Sequence, residues 1–76
     1  MATLRQKFGK HLRTIRLQRR MTQERFAEVL GISVDFLSLI ERGRNAPSFE
    51  TLEEIAKRLR MPVAELFTFD RTAGLG

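Results

Sequence analysis

The sequence predicts an all-α fold of five short helices, and three features support this prediction. Apolar residues recur at intervals of three and four along most of the 76 residues, which is the spacing of amphipathic helices. Serine, threonine, glycine and proline residues that favour the ends of helices separate the apolar runs. No stretch alternates apolar and polar residues as a strand does, so no sheet is expected.

The first helix is predicted over 4–19 and the second over about 22–30. Thr22 can accept a hydrogen bond as the N-cap of the second helix. Gly31 can end that helix because glycine adopts a positive φ without a steric penalty. The apolar positions of the first helix, with Lys and Arg between them, are 4, 8, 12 and 15.

A third helix is predicted over 33–42, with Ser33 as its N-cap and Gly43 as its stop. Pro47 prevents a helix from continuing, and a fourth helix is predicted over 48–60. The inward-facing residues of the fourth helix are Leu52, Ile55, Ala56 and Leu59.

Pro62 suits the first turn of a fifth short helix, which is predicted to run to about Phe67. The small-residue tail 71–76 is expected to be disordered. Short connections without a repeat or a linker predict a single domain over 1–70.

Composition excludes several function classes. The chain has no cysteine and one histidine, His11, so disulfide, thiolate and metal chemistry are not expected, and no cofactor is implied. His11 is expected to be solvated among basic neighbours. An enzyme is disfavoured because no glycine-rich phosphate loop exists and because Glu53 and Glu54, adjacent on a helix, point apart. No apolar stretch approaches a membrane span, so a cytoplasmic protein is expected.

Positive charge is concentrated at the start of the chain. Residues 1–20 carry seven Lys or Arg and no acid, whereas the whole chain has a formal net charge of +5. This segment is a candidate surface for a polyanion. A basic helix face that is merely solvated remains the alternative.

The segment 22–43 has the spacing of a helix-turn-helix, two short helices joined by a tight turn at 31–33. Ala27 is small where two helices would cross closely, and Ile32 and Ile40 can anchor the second of them to the core. A generic pair of antiparallel helices could use the same residues, so this spacing alone leaves both possibilities open.

Four motifs within residues 8–67 are shared with one known family. They are Thr22-Gln-Glu, Leu30-Gly-Ile-Ser, Ile40-Glu-Arg-Gly and Pro47-Ser. With them the chain resembles the phage-repressor/Cro-type (XRE-like) helix-turn-helix family, including stand-alone regulators such as restriction-modification controller proteins. The resemblance implies a lambda-repressor-like five-helix domain that binds double-stranded operator DNA as a homodimer, with the third helix in the major groove. It implies no small-molecule substrate and no membrane.

The resemblance also implies contacts with the DNA backbone. Gln23 corresponds to the position where the family binds a phosphate at a helix N-terminus. The full set of implied backbone contacts is Gln23, Ser33, Arg42, Arg44 and Asn45. Each arginine could instead be a solvated surface charge.

Base reading is expected on the outer face of the third helix. The candidate residues are Val34, Asp35, Ser38 and Leu39. Aliphatic side chains there can touch thymine methyl groups, and a carboxylate can accept from the cytosine amino group. Asp35 could instead stabilise the positive end of the helix dipole.

Two further sets of residues are expected to support binding. The resemblance implies that Arg16 and Glu41 form a partly buried ion pair that joins the first helix to the end of the third. A dimer surface is predicted because the segment after the fourth helix has more apolar residues than a final helix of this length can bury, namely Val63, Leu66, Phe67 and Phe69. Leu66 and Phe67 could instead close the core of the monomer.

Other function classes remain possible from the sequence alone. An antitoxin-like protein-interaction module could use the apolar surface at 62–69. Electrostatic binding to RNA or to an anionic membrane is disfavoured, because the phenylalanines have core spacing and a net charge of +5 is modest.

Overall fold

A computed structural model describes residues 2–70 of the chain as helical segments with no strand among them. The all-α prediction is confirmed over this range. The elements, in chain order, are α1 (Leu4–Gln18), α2 (Gln23–Leu30), α3 (Val34–Glu41), α4 (Phe49–Leu59) and a 3₁₀ segment (Val63–Asp70). The predicted tail 71–76 lies outside the described residues.

Each α-helix begins at a serine or threonine whose side chain caps it. The hydroxyl oxygen accepts from the backbone N–H three residues later, which satisfies one of the free donors of the first turn. At α1 the cap is reciprocal, because the Gln6 side chain also accepts from the Thr3 N–H at 2.9 Å. The N-caps are Thr3, Thr22, Ser33 and Ser48.

Left-handed residues end two of the helices. Gly31 closes α2 with φ 75°, and this allows the tight turn into α3. α4 ends at Arg60, which adopts the same region with φ 58° although it carries a side chain. Just beyond the C-cap of α3, Gly43 also has a positive φ, of 73°.

The core is built from one face of every element. α1 packs against α3 and the 3₁₀ segment, α2 packs against α3 and α4, and α4 also packs against the 3₁₀ segment. The buried hydrophobic residues are Phe8, Leu12, Ile15, Phe26, Ala27, Leu30, Leu37, Ile40, Leu52, Ile55, Ala56, Leu59 and Leu66. α3 thus has α1 on one side and α2 on the other, and its position is set by both.

The last segment differs from the prediction. It is a 3₁₀ helix over Val63–Asp70, longer than the short helix predicted from 62 to about 67, and its backbone departs from helical geometry at Phe67 and Thr68. Glu65 donates its N–H to the Pro62 carbonyl oxygen at 3.0 Å, the i to i+3 pattern of this tighter helix. A segment this short gains few hydrogen bonds against the cost of starting an α-helix, so packing decides its form.

Candidate nucleic-acid interface

A buried ion pair joins α1 to the end of α3. The Arg16 guanidinium donates to both carboxylate oxygens of Glu41, from Nε at 2.8 Å and from Nη2 at 3.0 Å. Its Nη1 donates to the Met21 carbonyl oxygen at 3.0 Å. Only 2% of the Glu41 side chain is exposed, so a bidentate, nearly dry pair holds the two helices in register.

The Arg16 guanidinium of this pair keeps its positive charge. The hydrogen bond from Arg16 to Glu41 raises the pKa of the guanidinium, the attraction of the carboxylate acts in the same direction, and partial burial opposes both. Arg16 therefore stays protonated at any pH at which the protein is folded, and it is occupied inside the protein.

Gln23 takes part in the same network. Its side-chain amide donates to Glu41 Oε1 at 3.0 Å, so one of its two N–H groups is committed within the protein. The sequence-based prediction placed this residue on a phosphate. The amide retains a second N–H for such a contact, and the bond to Glu41 fixes where that donor points.

The outer face of α3 presents the four predicted base-reading residues together. At 3.6 residues per turn they fall within an arc of about 140° on one side of the helix. Asp35 is exposed, whereas Ser38 and Leu39 are half-buried. Leu37 and Ile40, on the opposite side, are fully buried and anchor the helix.

Val34 differs from its prediction as a purely outward-facing group. It is half-buried and packs against the hydrophobic core at the first turn of α3. The turn at Gly31 brings the start of α3 close to the core, so only part of the Val34 side chain remains at the surface.

The predicted backbone-contact residues lie around both ends of α3. Ser33 uses its hydroxyl to accept from the Phe36 N–H at 3.0 Å. Arg42 donates from Nε to the Ser38 carbonyl oxygen at 3.3 Å, and Arg44 is exposed in the loop that follows. Asn45 accepts from the Ala46 N–H at 2.9 Å, which shapes that loop.

A cleft of about 410 Å³ between α1 and α3 contains polar residues that the sequence-based assignment missed. Lys10 and Arg13 line its α1 side, one helical turn apart. The other residues that line it are Gln6, Gln23, Ser38, Glu41 and Arg42. The sequence marked the whole of 1–20 as basic, but only the packing of α1 on α3 selects the residues beside the reading face.

Not every arginine of the basic segment is available in this way. Arg16 is held by Glu41, and Arg19 donates from Nη2 to the Leu59 carbonyl oxygen at 3.2 Å, at the end of α4. Arg16 and Arg19 are therefore hydrogen-bonded within the protein, whereas Lys10 and Arg13 line the cleft.

The predicted dimer surface is only partly exposed. Leu66 has 0% exposure and belongs to the core of the monomer, so its assignment to a contact between copies is wrong. Phe67 is half-buried and stacks on Phe8 with ring centroids 5.2 Å apart. Val63 is 39% exposed, and Phe69 is half-buried.

His11 is not a solvated residue, in contrast to its prediction. It is half-buried, its Nε2 lies 3.1 Å from the Glu65 carbonyl oxygen, and its ring lies beside Phe69 with centroids 5.6 Å apart. The histidine joins α1 to the 3₁₀ segment, a contact that sequence spacing does not reveal.

A second apolar feature was absent from the sequence-based assignment. Phe49 is 82% exposed at the first position of α4, and Leu4 is 63% exposed at the start of α1. Both line a groove of about 690 Å³ that also contains Phe8, Pro47 and Phe67. Exposed phenylalanine next to a groove is typical of a contact surface.

No group of His, Cys, Asp or Glu side chains within residues 2–70 is arranged to hold a metal ion. No helix within the same range has the length and apolar character needed to cross a membrane.

Several known proteins are similar to this chain in sequence. The phage CTXphi transcriptional repressor RstR of Vibrio cholerae is 32% identical over 65 residues, which cover 86% of this chain and 59% of that protein. YazB of Bacillus subtilis, described as an uncharacterized HTH-type transcriptional regulator, is 41% identical over 59 residues, 78% of this chain and 86% of that protein. This chain therefore spans less than two thirds of RstR and most of YazB.

A solved structure and a family model agree with these relatives. The clp gene regulator ClgR of Corynebacterium glutamicum superposes with a TM-score of 0.80 at 30% identity, covering 96% of this chain and 95% of that chain. The family model described as helix-turn-helix matches residues 12–66, which contain the ion pair and the whole of α2 to α4. The chain therefore belongs to the Cro/XRE-type helix-turn-helix family of DNA-binding transcriptional regulators.

Proposed function

We propose that this chain is a sequence-specific transcriptional regulator whose α3 enters the major groove of an operator. The observation that carries the proposal is the placement of α3, which packs against α1 and α2 while Asp35 is exposed and Val34, Ser38 and Leu39 are partly exposed on its outer face. An α-helix fits the major groove of B-DNA, where each base pair presents a distinct pattern of donors and acceptors.

Phosphate contacts surround this face in the proposed complex. They come from Gln23, Ser33, Arg42, Arg44 and Asn45, with Lys10 and Arg13 added from the α1 side of the cleft. These groups hold the register of the protein on the duplex and carry no sequence information themselves. Because each neutralised phosphate releases counterions, affinity should fall steeply as salt rises.

Base reading starts from Val34 and Ser38, which lie one turn apart on the outer face of α3. The Ser38 hydroxyl can donate to thymine O4, and the exposed part of Val34 can touch the thymine methyl group. Asp35 serves either as an acceptor for a cytosine amino group or as a negative charge at the positive end of the α3 dipole.

The regulator acts as a homodimer in this proposal. A two-fold axis would present two copies of α3 about 34 Å apart, the separation of successive major grooves, and would require a palindromic operator. Val63, Phe67 and Phe69 remain candidates for the contact between copies, and Phe49 and Leu4 extend the apolar surface near Phe67.

Two variants separate base reading from phosphate binding. A duplex enriched from a random pool and a scrambled duplex would be titrated with each variant by fluorescence anisotropy at two salt concentrations. We expect Ser38→Ala to weaken binding to the enriched duplex about fivefold and to leave the scrambled duplex unchanged. Arg44→Ala should weaken both equally and reduce the salt slope by about 1. Equal losses on both duplexes for Ser38→Ala would contradict the assignment of α3 as the reading helix.

A further inference from the structure

The outer face of α3 carries a second pair of side chains with an unusual combination of chemistry. Asp35 and Leu39 are one turn apart on α3, so their Cβ atoms are neighbours at about 5–6 Å. Asp35 is exposed and Leu39 is half-buried. An acceptor and an aliphatic group are therefore presented side by side on the proposed reading face.

Asp35 is available for an external donor. Within residues 2–70, no salt bridge involves the Asp35 carboxylate. A carboxylate on a DNA-facing surface is repelled by the phosphates, so it lowers affinity unless a base edge supplies a donor. The position of Asp35 on the outer face of α3 therefore favours a specific hydrogen bond to a base over nonspecific attraction to DNA.

The pyrimidine edges of the major groove differ in two adjacent groups. Thymine has an acceptor at O4 beside a C5-methyl group, and cytosine has an amino donor at N4 beside a bare C5 position. An ionised carboxylate only accepts, so Asp35 suits N4 and opposes O4. Leu39 gains buried apolar area only where C5 carries a methyl group.

We propose that Asp35 and Leu39 form a site for 5-methylcytosine in duplex DNA. Among cytosine, 5-methylcytosine, thymine and uracil, only 5-methylcytosine combines the N4 donor with the C5-methyl group. The two groups lie side by side on one edge of the base. Asp35 accepts from the amino group while Leu39 covers the methyl group. The inference rests on the proposed function, because it requires α3 in the major groove.

Selection from two DNA pools tests this site with the full chain. One pool contains ordinary cytosine, the other contains 5-methylcytosine at every cytosine position, and the winning duplexes are then synthesised in both forms. We expect a cytosine at a fixed position of each half-site in the methylated pool. That duplex should bind about threefold to fivefold tighter than its unmethylated form, the effect of burying one methyl group. Thymine and uracil at the same position should bind more weakly than 5-methylcytosine.

Two variants assign the two halves of the site. Leu39→Ala should remove the gain from methylation, and Asp35→Asn should remove the preference for 5-methylcytosine over thymine, because an amide can also donate to O4. The matched controls are Leu17→Ala and Glu53→Gln, exposed residues on α1 and α4 that should keep both preferences.

Failure of the 5-methylcytosine site and failure of the proposed function would give different experimental results. Equal binding of methylated and unmethylated forms at every cytosine, or a methylation gain that survives in Leu39→Ala, would overturn this inference and leave the proposed function standing. If neither pool yields an enriched sequence, the proposed function fails and this inference fails with it.

Discussion

Glu41 accepts hydrogen bonds from both Arg16 and Gln23 in a nearly dry setting, so three elements depend on one carboxylate. We expect Glu41→Ala to lower the free energy of unfolding by about 3–5 kcal/mol, because it leaves the Arg16 charge buried without its partner. Urea unfolding monitored by circular dichroism measures this change.

Glu54→Ala is the matched control, since Glu54 pairs with Arg58 on the exposed surface of α4 at 2.9 Å. An exposed pair of this kind contributes less than about 1 kcal/mol. If the free energies of unfolding of Glu41→Ala and Glu54→Ala differed by less than about 1 kcal/mol, the buried ion pair would not be the main interaction that joins α1 to α3.

Gly9 permits the close approach of α1 to α3. A Cβ atom at this position would overlap the Ile40 carbonyl oxygen, which is backbone and cannot rotate away. We expect Gly9→Ala to cost about 1–3 kcal/mol although alanine favours helices by about 1 kcal/mol. Thermal unfolding measures the stability of Gly9→Ala, and the control is Gln18→Ala, a substitution at an exposed site on the same helix. A Gly9→Ala variant more stable than the original protein would contradict the close approach of α1 to α3.

At the residue scale, the resemblance to the helix-turn-helix family predicted more of the site than the spacing of the apolar residues did. The Arg16 to Glu41 pair and the outer face of α3 were expected from the motifs around them. Gly9 and His11 were not, because a glycine or a histidine within a helical pattern says nothing about which neighbouring helix will press against it. Gln23 was assigned to DNA, and its bond to Glu41 depends on that same unseen packing.

At the scale of elements, the end of α4 stores a small strain. Arg60 adopts φ 58° and ψ 47° while the Met61 N–H donates to the Ala56 carbonyl oxygen at 3.0 Å, the closure that glycine usually makes. We expect Arg60→Gly to stabilise the protein by about 0.5–1 kcal/mol, which raises the Tm by about 2–8 °C. Differential scanning calorimetry measures the shift.

Lys57→Gly tests the same substitution type where φ is helical. It should destabilise by about 1 kcal/mol, because glycine in a helix interior loses more backbone entropy. A lower Tm for Arg60→Gly would mean that the arginine side chain contributes more than its strained backbone costs.

Caps and stops made most element boundaries predictable. The hydroxyl residues that begin α2, α3 and α4 and the glycine after α2 each have one dominant local role, so the boundaries agree within a residue or two. The last segment was predicted only as a short helix, because over so few residues the apolar pattern does not separate i to i+3 from i to i+4 hydrogen bonding.

At the scale of the whole molecule, the exposed apolar groups predict association. A chain of 76 residues buries a modest share of its surface, so a second copy would add stability as well as a second reading helix. We expect sedimentation velocity to find dimers at tens of micromolar. Val63→Glu or Phe49→Glu should shift the protein to monomer, whereas Leu17→Glu, also on an exposed apolar residue, should not.

A monomer at tens of micromolar would contradict the homodimer and would leave Phe49 and Val63 as a surface for a different protein. The sequence suggested association through the last segment, and it assigned Leu66 to the wrong side of that segment. Which side of a short helix faces the core depends on α1 and α4 together, and that is a property of the assembled molecule.

Selection of bound duplexes from a random pool tests whether α3 reads DNA sequence. We expect enrichment of one palindromic site with half-sites about one helical turn apart, bound more tightly than scrambled DNA at both low and high salt. A pool without enrichment, together with affinity that disappears equally for all sequences as salt rises, would contradict sequence reading by α3.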